Sequence, residues 1–168
     1  AAMTCRSVSD MPMLFLTGDI SGGDWAVDFP RADINLSVRL SELTRTPVSR
    51  DGNGEPNNLV VSLTSPEIFD CPFIMMTEVG AADLSEAEIL QLRTYLEKGG
   101  FLWADDFWGT EAWDWWASVM RAVLPPDRYP IVDPTPAHPL YHAQFEVKET
   151  PQIANIGHWS RYGDGMER

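Results

Sequence analysis

The sequence predicts a single three-layer α/β domain over residues 1–168, built on a mainly parallel sheet. Three observations carry that expectation. Short apolar runs recur at residues 12–17, 59–63, 72–77 and 101–104, too short for helices and unbroken enough to be strands buried on both faces. Helical signals alternate with these runs, as β-α-β units require. No internal repeat or low-complexity tract interrupts the pattern.

In chain order, the run at 12–17 ends at Gly18 and Gly22-Gly23, a buried strand entering a loop. Pro30 suits a first helical turn, and Ile34, Leu36, Val38, Leu40 and Leu43 give an imperfect apolar face that stops at Thr46-Pro47. The stretch "SRDGNGEPNN" is a turn-rich surface connection to the strand at 59–63. Pro66 opens a brief turn or helix before the strand at 72–77, which ends at Glu78. Ser85-Glu86-Ala87-Glu88 is a capping box: serine and glutamate each satisfy the other's free backbone donor, so a helix starts there. Ile89, Leu92 and Leu96 continue it, and Gly99-Gly100 supplies the left-handed stop. Residues 101–104 follow as a strand, parallel to the preceding one through a right-handed crossover. A further helix starts near Thr110, carries Trp113, Trp116 or Ala117, Met120 and Leu124, and stops at Pro125-Pro126. Later strands are expected at 129–132 and 144–147, and residues 151–168 show no clear element.

A net charge of −13 and a pI near 4.4 leave no basic cluster to bind a phosphate backbone, which argues against nucleic acid and against direct contact with anionic lipid. No stretch approaches the roughly 18 apolar residues of a membrane span. The chain begins Ala1-Ala2 rather than with Met, which fits either a processed precursor or a sequence trimmed of an upstream segment, and a periplasmic or exported location is favoured over a cytoplasmic one. Cys5 and Cys71 could pair in an oxidising compartment; an ordinary buried thiol at Cys71 is the reading preferred from sequence.

Ligands of open parallel sheets gather at the carboxyl ends of strands. The residues there are mostly acidic: Asp19 and Asp24 after the first strand, Glu78 after the third, Asp105 and Asp106 after the fourth. Asp19, Glu78, Asp105 and Asp106 are therefore candidate ligands of a hard divalent cation such as Mg²⁺ or Ca²⁺, provided that their oxygens converge at about 2.0–2.6 Å. The alternative is that Asp105 or Asp106 caps the following turn or pairs with Arg31 or Arg93. His138 and His142 have a helical metal spacing, but Pro136 and Pro139 oppose a helix, so capping of local backbone is expected; His138 is also a candidate general base. No Gly-x-Ser-x-Gly turn is present, and the glycines at 18–23 match neither a dinucleotide fingerprint nor a P-loop. No nucleotide cofactor is expected. Trp103, Trp108, Trp113, Trp115 and Trp116 crowd one stretch, and a single helix face cannot bury Trp113, Trp115 and Trp116 together. Trp108, Trp113, Trp115 and Trp116 are the candidate partner-binding residues, against the alternative of a large aromatic core.

The segments "WAVDFPRADINLSVRLSELT", "FDCPFIMMTEVGAADLSEAEILQLRTYLEKGGFLWADDFWG", "HPLYH" and "PQIANIG" resemble, in order and spacing, the bacterial DUF4159 family, whose function is unknown. That family is similar to the class I glutamine amidotransferase-like superfamily, so the resemblance implies a flavodoxin-like sandwich. Two positions depart from it: Cys71, where an aromatic residue is usual, and Ala137, where an aspartate commonly precedes the histidine. Nothing at the Asp105-Asp106 turn corresponds to the amidotransferase cysteine. Family members typically continue past the region of Gly157, so residues 151–168 are expected to be irregular or truncated. The resulting expectation is a non-catalytic protein-binding module, an accessory or structural subunit of a larger exported or membrane-associated complex. The alternative is a metal-assisted hydrolase using Asp105, Asp106, Asp19 or Glu78, with His138 as base.

Overall fold

The structure is a computed structural model that describes residues 13–16, 30–149 and 156–162. Four strands, β1 (Met13–Leu16), β2 (Asn58–Val61), β3 (Phe73–Thr77) and β4 (Phe101–Asp105), form one sheet in the order β2-β1-β3-β4. Every pairing in it is parallel. The molecule is thus an α/β fold on a small parallel sheet, as the alternating signals predict. The expected site residues Asp19 and Asp24 lie outside the described residues, as does the glycine-rich stretch at 18–23.

Side chains alternate across β3, so its neighbours define two packing sides. Met75 meets Leu36 and Leu40 of helix α1 (Arg31–Leu43), together with Val60 and Phe73. Ile74 and Met76 belong to a larger core with Leu92 and Tyr95 of α2 (Glu86–Glu97) and Trp116, Val119 and Val123 of α3 (Gly109–Val123). The register pairs Met75 with Trp103 and Thr77 with Asp105, so β3 and β4 end side by side.

Helix α1 corrects one expectation. Its buried positions are Asp33 and Ser37, at 3% and 0% exposure, so the buried stripe runs 33, 36, 37, 40. Leu36 and Leu40 lie on that stripe, whereas Leu43 is exposed.

Helix α2 starts on the expected capping box. The Glu88 carboxylate accepts the Ser85 backbone N–H at 2.9 Å, and the Ser85 hydroxyl accepts the Glu88 N–H at 3.4 Å. Gly99, at φ 95°, takes the left-handed step that turns the chain into β4. The Arg93 guanidinium of α2 donates to the Val123 carbonyl at 2.6 Å and to the Ala122 carbonyl at 2.7 Å, closing the carboxyl end of α3.

The strands expected at 129–132 and 144–147 do not form; Ile131, Val132 and Phe145 are exposed there instead. Pro130 lies within the first and removes a donor that a central strand needs. Residues 156–162, where no element was evident from sequence, form a short helix, α4 (Ile156–Tyr162). Among the described residues β4 has one neighbour, β3, and its Phe101 and Trp103 are 57% and 45% exposed. Cys71 is buried, as expected, but is joined in a disulfide, which corrects the thiol reading; the chain's other cysteine, Cys5, lies outside the described residues. No helix among the described residues is long and apolar enough to cross a membrane.

Candidate docking groove

The carboxyl ends of β3 and β4 share one geometry. The chain leaves β3 through Glu78, at φ 56°, and leaves β4 through Asp106, at φ 55°. Both acids hold the left-handed conformation that glycine or asparagine usually supplies. The Glu78 N–H donates to the Asp105 carbonyl at 3.1 Å, which keeps the two exits together. From Glu78 the chain enters a 3₁₀ turn, Val79–Ala81, and from Asp106 it runs through Phe107 and Trp108 into α3.

This turn and the first half of α3 enclose an open groove of about 970 Å³. Gly80, Ala81, Ala112 and the indoles of Trp108 and Trp115 line it, and Glu111 and Asp114 add carboxylates. Residues 111, 114, 115 and 118 fall at helical spacing and make one stripe of α3. The stripe at 116, 119 and 123 carries the core residues Trp116, Val119 and Val123.

Two contacts set the groove's shape. The Trp115 indole N–H donates to the Ala82 carbonyl at 2.6 Å, which fixes a ring that stays 47% exposed. Gly80 lies so close to α3 that a Cβ there would meet the Ala112 Cβ at 2.7 Å. Glycine at this position therefore lets the turn and helix touch through backbone and small side chains.

The four candidate tryptophans separate into three environments. Trp108 and Trp115 line the groove. Trp113 stacks on Phe107, with centroids 6.3 Å apart and planes at 15°, and is exposed. Trp116, at 5% exposure, is core, which takes it away from any partner surface. The expectation that one helix face could not bury Trp113, Trp115 and Trp116 together is met in this way.

The acids are gathered differently. Glu78 follows β3, Asp105 ends β4 and Asp106 follows it, and Asp105 accepts the Trp103 indole N–H at 2.8 Å. Arg93, an expected partner for Asp105 or Asp106, instead directs its guanidinium to the end of α3. Among the described residues no group of three or more His, Cys, Asp or Glu side chains comes together to hold a metal ion. His138 accepts the Leu140 N–H at 3.2 Å and so caps the 3₁₀ turn Pro139–His142, while His142 lies 3.2 Å from the Glu146 carboxylate. Neither histidine lines the groove.

Sequence reasoning missed Gly80, Ala82, Glu111 and Asp114. The spacing of Glu111, Asp114, Trp115 and Ser118 was legible as one helical stripe, but the approach of Gly80 joins segments that only the tertiary fold brings together. A comparison with curated proteins found no match to the chain. The model of the DUF4159 family, described as a domain of unknown function, matches residues 10–167 and so takes in β1 to α4 and the whole groove; the chain belongs to that family.

Proposed function

We propose that this chain is a non-catalytic docking module, an accessory or structural subunit of a larger exported or membrane-associated complex, which holds a protein partner in the groove between the Val79–Ala81 turn and α3. The observation that carries the reading is Trp115: a half-exposed indole whose polar atom is already satisfied by Ala82. Tryptophan presented rigidly beside a groove is the pattern of an interface anchor, because little rotational freedom is lost on binding. The Cys71 disulfide supports an oxidising, periplasmic or exported compartment. The strand order β2-β1-β3-β4, with α1 and the α2-α3 pair meeting opposite sides of β3, supports a three-layer flavodoxin-like sandwich similar to the glutamine amidotransferase-like superfamily.

The test is capture of the chain from its native membrane and soluble fractions, wild type beside Trp108→Ala, followed by mass spectrometry. The expected result is a stoichiometric partner that Trp108→Ala loses while its unfolding midpoint stays close to wild type. Capture that is indifferent to Trp108 overturns the reading.

Glu78 and Asp105 stand at the ends of neighbouring strands, and another candidate, Asp19, lies outside the described residues; this adjacency supports a second reading, a metal-assisted hydrolase with a divalent cation at the strand ends. Calorimetric titration with Mg²⁺ and Ca²⁺ tests it. Heat of binding that Asp105→Asn and Asp106→Asn both abolish supports a cation site, and no heat in the wild type removes it.

A further inference from the structure

We propose that the groove receives an arginine or lysine side chain from an extended segment of the partner, an inference that rests on the docking reading above. The argument begins with the charge. Glu111 and Asp114 are both exposed on the groove-facing stripe of α3, and no lysine or arginine lines the groove. Among the described residues neither acid's side chain takes part in a hydrogen bond or an ion pair. The whole chain has 25 acidic against 12 basic residues, so the long-range field also draws a cation inward.

The aromatic part completes the chemistry. A guanidinium or ammonium is attracted to an indole face when it lies within about 6 Å of the ring. Trp108 and Trp115 border the same groove as the two carboxylates, and Trp115 is pinned by Ala82. A cation can therefore lie against an indole while its polar end reaches a carboxylate. An anion, the usual guest at a helix amino end, meets Glu111 in the first turn of α3 and Asp114 in the next. The open form of the groove suits a side chain with its backbone lying across the surface.

The experiment uses the full chain and two short blocked peptides, one alternating glycine and arginine, the other glycine and glutamate, read by tryptophan fluorescence at low and high salt. The Gly-Arg peptide is expected to bind, more weakly as salt rises. The double variant Glu111→Gln, Asp114→Asn is expected to lose about fivefold in affinity. Trp108→Ala is expected to lose about fivefold as well. The control Glu97→Gln, Asp127→Asn removes the same charge from exposed positions outside the groove and is expected to stay within about twofold of wild type. An equal loss in that control shows attraction to net charge alone and overturns the inference, as does equal binding of the Gly-Glu peptide. Native capture separates the two levels. A partner that needs Trp108 but not the two acids leaves docking in place and removes the basic ligand; a partner that needs neither removes both.

Discussion

Gly80→Ala probes the close approach between the Val79–Ala81 turn and α3 beside the groove. A Cβ at this residue would meet the Ala112 Cβ at 2.7 Å, the Phe107 Cβ at 3.2 Å and the Ala112 Cα at 3.5 Å. Carbon atoms settle at about 3.5–4.0 Å, so the turn and α3 must separate by roughly 1 Å. Neither neighbouring Cβ can rotate aside, because each is fixed to its own backbone. Overpacking of this kind costs about 1–3 kcal/mol, and the reduced freedom of alanine in the unfolded chain offsets about 0.4–1 kcal/mol. A net loss of about 1–2 kcal/mol is expected, or a fall in Tm of roughly 2–8 °C. Urea unfolding followed by tryptophan fluorescence measures it, with Ala112→Gly as the second arm of a double-mutant cycle. Alone, Ala112→Gly costs about 1 kcal/mol of helix propensity. Beside Gly80→Ala it also removes the clash, so the pair should be more stable than the sum of the single effects by about 1–2 kcal/mol. Strict additivity, or a Gly80→Ala protein as stable as wild type, would refute the argument.

Three further outcomes are expected. Ser85→Ala should lower stability by about 1 kcal/mol in urea melts, since it leaves the Glu88 N–H without its cap. Arg93→Met should cost about 1.5–3 kcal/mol by exposing the Ala122 and Val123 carbonyls, and Arg93→Lys should recover only part of that loss. Burial pushes the Tyr95 phenol up to about 12 from its ordinary 10.0. In that interval the unfolded chain releases the proton while the folded chain keeps it, so stability is fully present below pH 10.0 and falls as pH rises toward about 12. The loss is on the order of 2 kcal/mol, and unfolding midpoints across that range should decline less steeply in Tyr95→Phe.

What could be read from the sequence was whatever rested on neighbours in the chain. The Ser85 box, the Gly99 stop and the buried run of β3 each express a local rule, and each stands in the structure. Helix α1 shows where local reading ends: its apolar residues suggested one face, yet Asp33 and Ser37 are buried, a choice made by what packs around them. The stretch from 125 to 149 shows the same in reverse, since β-prone residues there pair with no strand among the described residues. At the groove, the tryptophan cluster lies on the helix that lines it, but the bond from Trp115 to Ala82 spans 33 positions and the Gly80 approach leaves no periodic trace.

The exposed aromatic residues of β4 have a consequence for handling the protein. Half-exposed Phe101 and Trp103, on a strand that has one neighbour among the described residues, form an apolar surface on which a second molecule can align. Mutual repulsion opposes this, because each copy carries a net charge of −13. Added electrolyte shortens the reach of that repulsion to about 3 Å at molar strength and leaves the aromatic attraction intact. Concentrated salt, commonly added to keep proteins apart, should here draw them together, and light scattering across a salt series will show the particle size growing with ionic strength.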